Sequence, residues 1–149
     1  MDFKIDKMSL EDLISIKDIL TTEFDDFWNY EILKSELEST NSYFFVAKNI
    51  SGEIVGFAGI KIILDEADIM NIVVKKNFRN SGIGALLLDY MIYYSKSIDL
   101  KTITLEVNEI NIPAIKLYEK FDFEKLGIRK KYYNGENDAI IMSKKIKLI

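Results

Sequence analysis

A strand, a glycine loop and a helix follow one another without a break in "MNIVVKKNFRNSGIGALLLDYM", residues 70–91. No other stretch restricts the fold as much. "MNIVV" is a β-branched apolar run suited to a strand. Gly82 and Gly84 permit a tight backbone, and Leu86, Leu87, Tyr90, Met91 and Tyr94 then recur on one side of a helix. A strand that feeds a helix through a short loop is a building step of α/β architecture. The free amides at such a helix start are suited to bind an anion, and phosphate is the usual one.

Which phosphate depends on the details of the loop. A nucleotide P-loop needs a Lys-Ser or Lys-Thr pair after its last glycine, and Ser81-Gly82-Ile83-Gly84 has none. A dinucleotide fingerprint needs a third glycine near the first strand. Here Leu87 stands in that place, in the middle of the chain. A third reading is a pyrophosphate cradle of backbone amides, with Arg79 flanking the loop to stabilise its turn or the phosphates. The fourth is a glycine-lightened helix start that holds no ligand. The stretch alone leaves the last two open.

The rest of the chain reads as one domain spanning 1–149, without linker, repeat or low-complexity segment. "DFKI" is a strand. "SLEDLISIKDILTTEF" is a helix opened by a capping box of Ser9 and Asp12. A second helix starts behind Asn29, with Tyr30, Leu33 and Leu37 on one face. "YFFVAKN" and "EIVGFAGIKII" form a hairpin about "NISGE", and "DEADIMNIVVKK" is a further strand. After the glycine helix come the strand "KTITLEVN", a short helix with Pro113 in its first turn, and a closing hairpin about "NGEN". The fold class is α/β (α+β), with a mixed, mostly antiparallel sheet.

Composition narrows the chemistry. The chain has no cysteine and no histidine. Disulfides, thiolate or imidazole metal sites, a cysteine nucleophile and a Ser-His-Asp triad are therefore excluded. Proton transfer falls to Asp, Glu, Tyr, Lys or water. A net charge of −4 argues against nucleic acid as a general partner. No apolar run is long enough to span a bilayer, and the N-terminus lacks the layout of a secretory leader, so no membrane partner and a cytoplasmic location are expected. Lysine supplies nearly all the positive charge. Arg79 and Arg129 are the exceptions, each either placed for a planar fork that lysine cannot supply or an incidental surface residue.

Arg79-x-x-Gly82-x-Gly84, behind "MNIVV" and ahead of an apolar helix, resembles the acyl-CoA-binding motif of the GNAT superfamily of N-acetyltransferases. The blocks "LDEADIMNIVVKKNFRNSGIGALLL", "LEVNEINIPAIKLYEKFDF" and "IRKKYYNGENDAIIM" look like the bacterial ribosomal-protein-alanine N-acetyltransferases of the RimI type. Trp28 fits the tryptophan of that family's early helix. The resemblance covers roughly residues 24–143. It implies a GNAT fold: a sheet of six to seven strands flanked by about four helices. It further implies acetyl-CoA bound through the backbone of Ile72, Val73 and Val74, and around the pyrophosphate by Asn80, Ser81, Gly82, Ile83, Gly84 and Ala85. Asn111 would contact the cofactor, Glu106 would be the proton acceptor and Tyr118 the proton donor. Tyr132, Tyr133 and Asp138 would shape the peptide site. The implied substrate is a ribosomal protein's N-terminal peptide, met by a monomeric enzyme.

Elementary chemistry agrees with that expectation. Freeing an N-terminal amine of its proton at pH 7 costs about 1.4 kcal/mol, against about 4.6 for lysine. A carboxylate suffices for the easier case. Burial of Glu106 in an apolar strand would raise its proton affinity, unless the residue merely alternates with Leu105 and Val107 as a solvent-facing one. Tyr118 at helical spacing is either core or a phenol matched to a thiolate leaving group. An amide of "IVV" would hold the oxyanion. Transfer would be direct, in a ternary complex. Asp65, Glu66 and Glu136 would steer a basic peptide or face solvent, and a tyrosine pair packs well in any sheet.

The chain departs from the family pattern at several positions. Asn80 and Ala85 stand where relatives often carry basic residues, which shifts phosphate binding towards backbone amides. Asp122 replaces a glycine at a turn, where Asp tolerates a left-handed backbone. Asn137 and Phe27 replace an acidic residue and a proline on the substrate side.

Overall fold

In the computed structural model, residues 2–24 and 28–146 are described. Phe27 and the last three residues of the expected closing strand lie outside them. Among the described residues, seven strands form one sheet in the order β1-β2-β3-β4-β5-β7-β6. They are β1 (Lys4–Lys7), β2 (Ser42–Lys48), β3 (Ile54–Ile63), β4 (Glu66–Val74), β5 (Thr102–Asn108), β6 (Glu124–Tyr133) and β7 (Asn137–Lys145). Four α-helices accompany them: α1 (Leu10–Ser15), α2 (Tyr30–Leu37), α3 (Ile83–Ser97) and α4 (Ile112–Lys120). The mixed, mostly antiparallel sheet expected from the sequence is present, and β4–β5 is its one parallel pairing.

Alternation along the strands divides the apolar residues into two cores, one on each face of the sheet. Phe45, Val55, Ala58 and Ile60 join Ile103, Leu105 and Val107 beneath α3 and α4. Phe44, Val46 and Phe57 point the other way and meet Leu13, Leu20, Phe24 and Leu33. Among the described residues, none of β5, β6 or β7 belongs to this second core, which leaves that face of those strands open there.

Two expectations about helices are corrected. The first helix is not continuous. Ser9 and Asp12 form the expected capping box, but α1 ends at Ser15. The chain then passes through a 3-10 turn (Lys17–Ile19) and a π turn (Leu20–Phe24). Each change of pitch rotates the apolar stripe, and the result buries Leu13, Ile16, Leu20 and Phe24 together. In α3, Leu86 is exposed, and the buried face is Ile83, Leu87, Leu88, Met91 and Ile92.

Candidate active site

Strands β4 and β5 lie side by side for only three rungs, Glu66↔Thr102, Ala67↔Ile103 and Asp68↔Thr104. Beyond Asp68 both strands continue without pairing to each other. A bulge in the β3–β4 ladder at Gly59/Ile60 helps turn β4 away. The sheet therefore splits at its centre, and the backbone of Ile72–Val74 borders the gap. Within an antiparallel ladder, alternate amides bond the neighbouring strand. The Ile72 N–H instead donates to the Asn71 side-chain Oδ1 at 2.9 Å. One exchangeable side-chain contact thus covers an amide at the split, and no sequence signal pointed to Asn71.

The glycine loop joins β4 to α3 at the same place. Asn80 and Gly82 both have left-handed backbones, φ 65° and 82°. Side chains cap α1, α2 and α4 from Ser9, Asn29 and Asn111, whereas α3 starts at Gly82 without a side-chain cap. Its first helical bond runs from Leu86 N–H to the Gly82 carbonyl, so the amides of Ile83, Gly84 and Ala85 precede any helical partner. A Cβ built on Gly84 would come no closer than 3.8 Å to any side chain, which leaves this turn open to an approaching group. An uncapped helix start beside an open sheet gap fits the pyrophosphate and pantetheine arm of a coenzyme A thioester. Ser81 is exposed on the loop, and Val73 is buried in the second core.

Arg79 takes the turn-bracing alternative. Its guanidinium donates to the Phe24 carbonyl at 3.0 Å, and its Nε to the Val74 carbonyl at 3.4 Å. Lys75 supports the same junction with an ion pair to Glu53 at 2.7 Å and another to Glu23 at 3.3 Å. Asn111 caps α4 through its Oδ1, which accepts from the Ala114 N–H at 3.3 Å.

Glu106 stands on the open face of β5, and Tyr118 belongs to the core on the other face of the sheet. Thr102, Thr104, Glu106 and Asn108 line the open face of β5, alternating with buried Ile103, Leu105 and Val107. Glu106 falls between the burial and the solvent-facing position weighed from the sequence. Its side chain is 25% exposed, and its Oε1 lies 2.7 Å from the Arg129 guanidinium on β6. Asp68, two positions past Glu66 on β4, shares this face. Burial raises its carboxyl above the usual range, the charges of Glu106 and Glu66 add to that, and Lys61 and Arg129 oppose it.

Tyr118 comes from α4 on the other side and is 9% exposed. The C-terminus of α4 fixes it. Asp122 adopts φ 68°, its N–H bonds the Glu119 carbonyl, and the Phe123 N–H bonds the Tyr118 carbonyl, both at 3.0 Å. This is a Schellman turn, and its usual apolar contact is the Tyr118–Phe123 ring pair at 5.9 Å. The expected tolerance of Asp122 for a left-handed backbone is borne out. Burial, with a smaller contribution from Tyr133, pushes the Tyr118 hydroxyl up to about 12, above the match with a thiolate expected from a free phenol.

The closing hairpin stands over the open face. Tyr133 is partly buried; burial, then Glu106 and Tyr132, raise its hydroxyl, while Arg129 opposes them. Tyr132 is half exposed and packs edge-on against Tyr133 at 5.1 Å. Asp138 does not line the opening with a free carboxylate: its Oδ1 accepts the Lys131 N–H at 2.8 Å. Asn137 pairs with Tyr133 at the hairpin end.

Comparison with known proteins matches this architecture. The Acetyltransferase (GNAT) family profile matches residues 13–123. A Bacillus subtilis (strain 168) protein, provisionally named a ribosomal protein bS18-alanine N-acetyltransferase, is 36% identical over 138 residues, 91% of this chain and 90% of its own length. The crystal structure of the ribosomal-protein-S18-alanine N-acetyltransferase from Escherichia coli superposes with a TM-score of 0.88 at 29% identity, covering 99% of this chain and 96% of that one. Arabidopsis thaliana NAA60 in complex with acetyl-CoA shares the fold, with a TM-score of 0.83 at 20% identity over 97% of this chain and 99% of its own.

Proposed function

Because the chain belongs to the GNAT family and is an acetyl-CoA-dependent N-acetyltransferase, we propose that its acceptor is a protein N-terminal α-amine, that of an alanine-initiated small-subunit ribosomal protein. The observation that supports this reading is that Glu106, on β5 beyond its last rung with β4, and Tyr118 lie on opposite faces of the sheet. A thioester lying in the split has a carboxylate on the open side, where a peptide can enter, and a phenol on the other. The names of the Bacillus subtilis and Escherichia coli relatives support the choice of acceptor.

The residues then divide the work. Glu106 takes the proton from the incoming ammonium, directly or through one water, and the neutral amine forms its bond to the acetyl carbon. The Ile72 amide leaves Asn71 and donates to the oxygen that gains charge. As the carbon–sulfur bond breaks, Tyr118 donates its proton to the departing sulfur; the nitrogen gives up its second proton to water as the amide forms, and Tyr118 regains one through water. The products are coenzyme A and the acetylated N-terminus. No acyl-enzyme forms, since the chain has no cysteine and both substrates are held at once. Glu66 and Asp68 beside Glu106 make this wall acidic, which suits a basic N-terminal tail.

Kinetics with a panel of amines test the reading: alanine-initiated peptides, peptides with other first residues, an N-terminally blocked lysine peptide and a polyamine. We expect alanine-initiated peptides to be turned over best, with kcat at least about 100-fold lower in Glu106→Gln and in Tyr118→Phe. Preference for lysine or polyamine would reject the acceptor. Full activity in both variants would reject the assignment of roles.

A further inference from the structure

We propose that Arg129 is a positioning residue that sets the Glu106 carboxylate and the Tyr132 wall of the cleft together, through one guanidinium. The proposal rests on the reading of Glu106 as proton acceptor. Arg129 lies on β6 and Glu106 on β5, with β7 between them, and the guanidinium reaches across to Glu106 at 2.7 Å. Its other face carries the Tyr132 ring, centred 4.8 Å away. A planar cation can bond a carboxylate at its edge while stacking an aromatic on its face, which an ammonium does less well.

The backbone shows how this arrangement is built. Residues three apart on a regular strand point to opposite faces of the sheet. Arg129 and Tyr132 are three apart and nevertheless touch. The β6–β7 register breaks between Arg129 and Tyr133, and Lys131 takes a left-handed φ of 51°. That bulge turns Tyr132 back over Arg129. Asp138 holds the bulge by accepting the Lys131 N–H, and the Asp138 N–H in turn donates to Glu109 Oε2 at 2.8 Å. The spacing of arginine, tyrosine pair and aspartate in "RKKYYNGEND" thus specifies one device. Asp138 sets the bulge, the bulge sets Tyr132, and Arg129 ties Tyr132 to Glu106. It also accounts for an arginine at this position in a chain whose basic residues are nearly all lysines.

A double-mutant cycle tests the proposal. Acetyl-CoA and the amine that the wild type turns over fastest in the panel above are used with Arg129→Lys, Arg129→Ala, Glu106→Gln and Arg129→Ala/Glu106→Gln. We expect Arg129→Lys and Arg129→Ala each to lower kcat at least tenfold and to raise the acceptor KM, with the KM for acetyl-CoA within twofold of wild type. In the Glu106→Gln background, Arg129→Ala should lower kcat less than twofold further, because the carboxylate it positions is gone. Asp138→Asn should retain more activity than Asp138→Ala, since its amide oxygen can still accept the Lys131 N–H. Wild-type kcat in Arg129→Lys, or equal losses from Arg129→Ala in both backgrounds, would overturn the proposal. Failure of the underlying reading is seen separately, as undiminished kcat in Glu106→Gln alone.

Discussion

Burial among α4, Phe123 and the strand core pushes the Tyr118 hydroxyl up to about 12, so the group keeps its proton wherever the enzyme operates. Tyr118→Phe should then lower kcat about 100-fold and leave acetyl-CoA affinity unchanged, measured by steady-state kinetics and calorimetry. Stability gives a second readout. The folded state holds this proton more tightly than the unfolded chain, whose tyrosine titrates near 10. The contribution is complete below about pH 10 and is lost as pH rises towards 12. Urea unfolding at pH 8 and pH 11 should show a smaller alkaline loss for Tyr118→Phe than for the wild type. An equal loss would mean that the hydroxyl titrates as in the open chain. At this scale the sequence was informative in part. The roles proposed for Glu106 and Tyr118 came from resemblance to a family, and the scarcity of arginine singled out Arg129 while leaving open a planar fork or an incidental surface residue. Its partner was hidden because β7, which follows β6 in the chain, lies between β6 and β5 in the sheet.

Among the elements, the start of α3 separates the needs of folding from those of binding. Gly82 has a left-handed φ of 82°, so Gly82→Ala should cost about 1 kcal/mol even though no atom lies within 4 Å of the added carbon. Gly84 is inside the helix, where alanine is preferred, and its Cβ would meet only ordinary contacts. Gly84→Ala should therefore unfold at the same temperature as the wild type or higher, yet bind acetyl-CoA at least tenfold more weakly, because the methyl group occupies the turn where a phosphate approaches. Thermal melts and calorimetry on the two variants check this. Unchanged affinity in Gly84→Ala would move the pyrophosphate away from this turn. Most strands and helices, and the caps at Ser9 and Asn29, were legible because alternation and capping are local, whereas Asn111 was read as a cofactor contact and not as the cap of α4. The bulges at Gly59/Ile60 and after Arg129 were not, since a register shift depends on the partner strand. The break of the first helix into 3-10 and π turns was hidden too. It is fixed by packing Leu20 and Phe24 against Phe57, not by local propensity.

Across the whole molecule, the helical arm before α2 is latched to the glycine loop. Lys75 pairs with Glu23 of the π turn and with Glu53 before β3, while Arg79 bonds the Phe24 carbonyl. The hydrogen bond from Lys75 holds the Glu53 carboxyl below its usual range. That contribution to stability is present above the ordinary carboxylate range and is lost as pH falls through the depressed value. Lys75→Met should lower the melting temperature at pH 7 and flatten its fall between about pH 5 and pH 3. A wild-type acid limb in this variant would assign the fall to other carboxylates. The latch also joins the second core to the cofactor side of the split, so acetyl-CoA should raise the melting temperature of the entire domain.

The proposed reaction is direct acetyl transfer from acetyl-CoA to an N-terminal α-amine across the β4–β5 split. Peptide mapping by mass spectrometry tests it most directly, on a small-subunit ribosomal protein with a free N-terminal alanine incubated with this enzyme and acetyl-CoA. We expect one acetyl group on the alanine α-amine, appearing at least about 100-fold more slowly with Glu106→Gln. Acetyl groups on lysines with the alanine left free would contradict it.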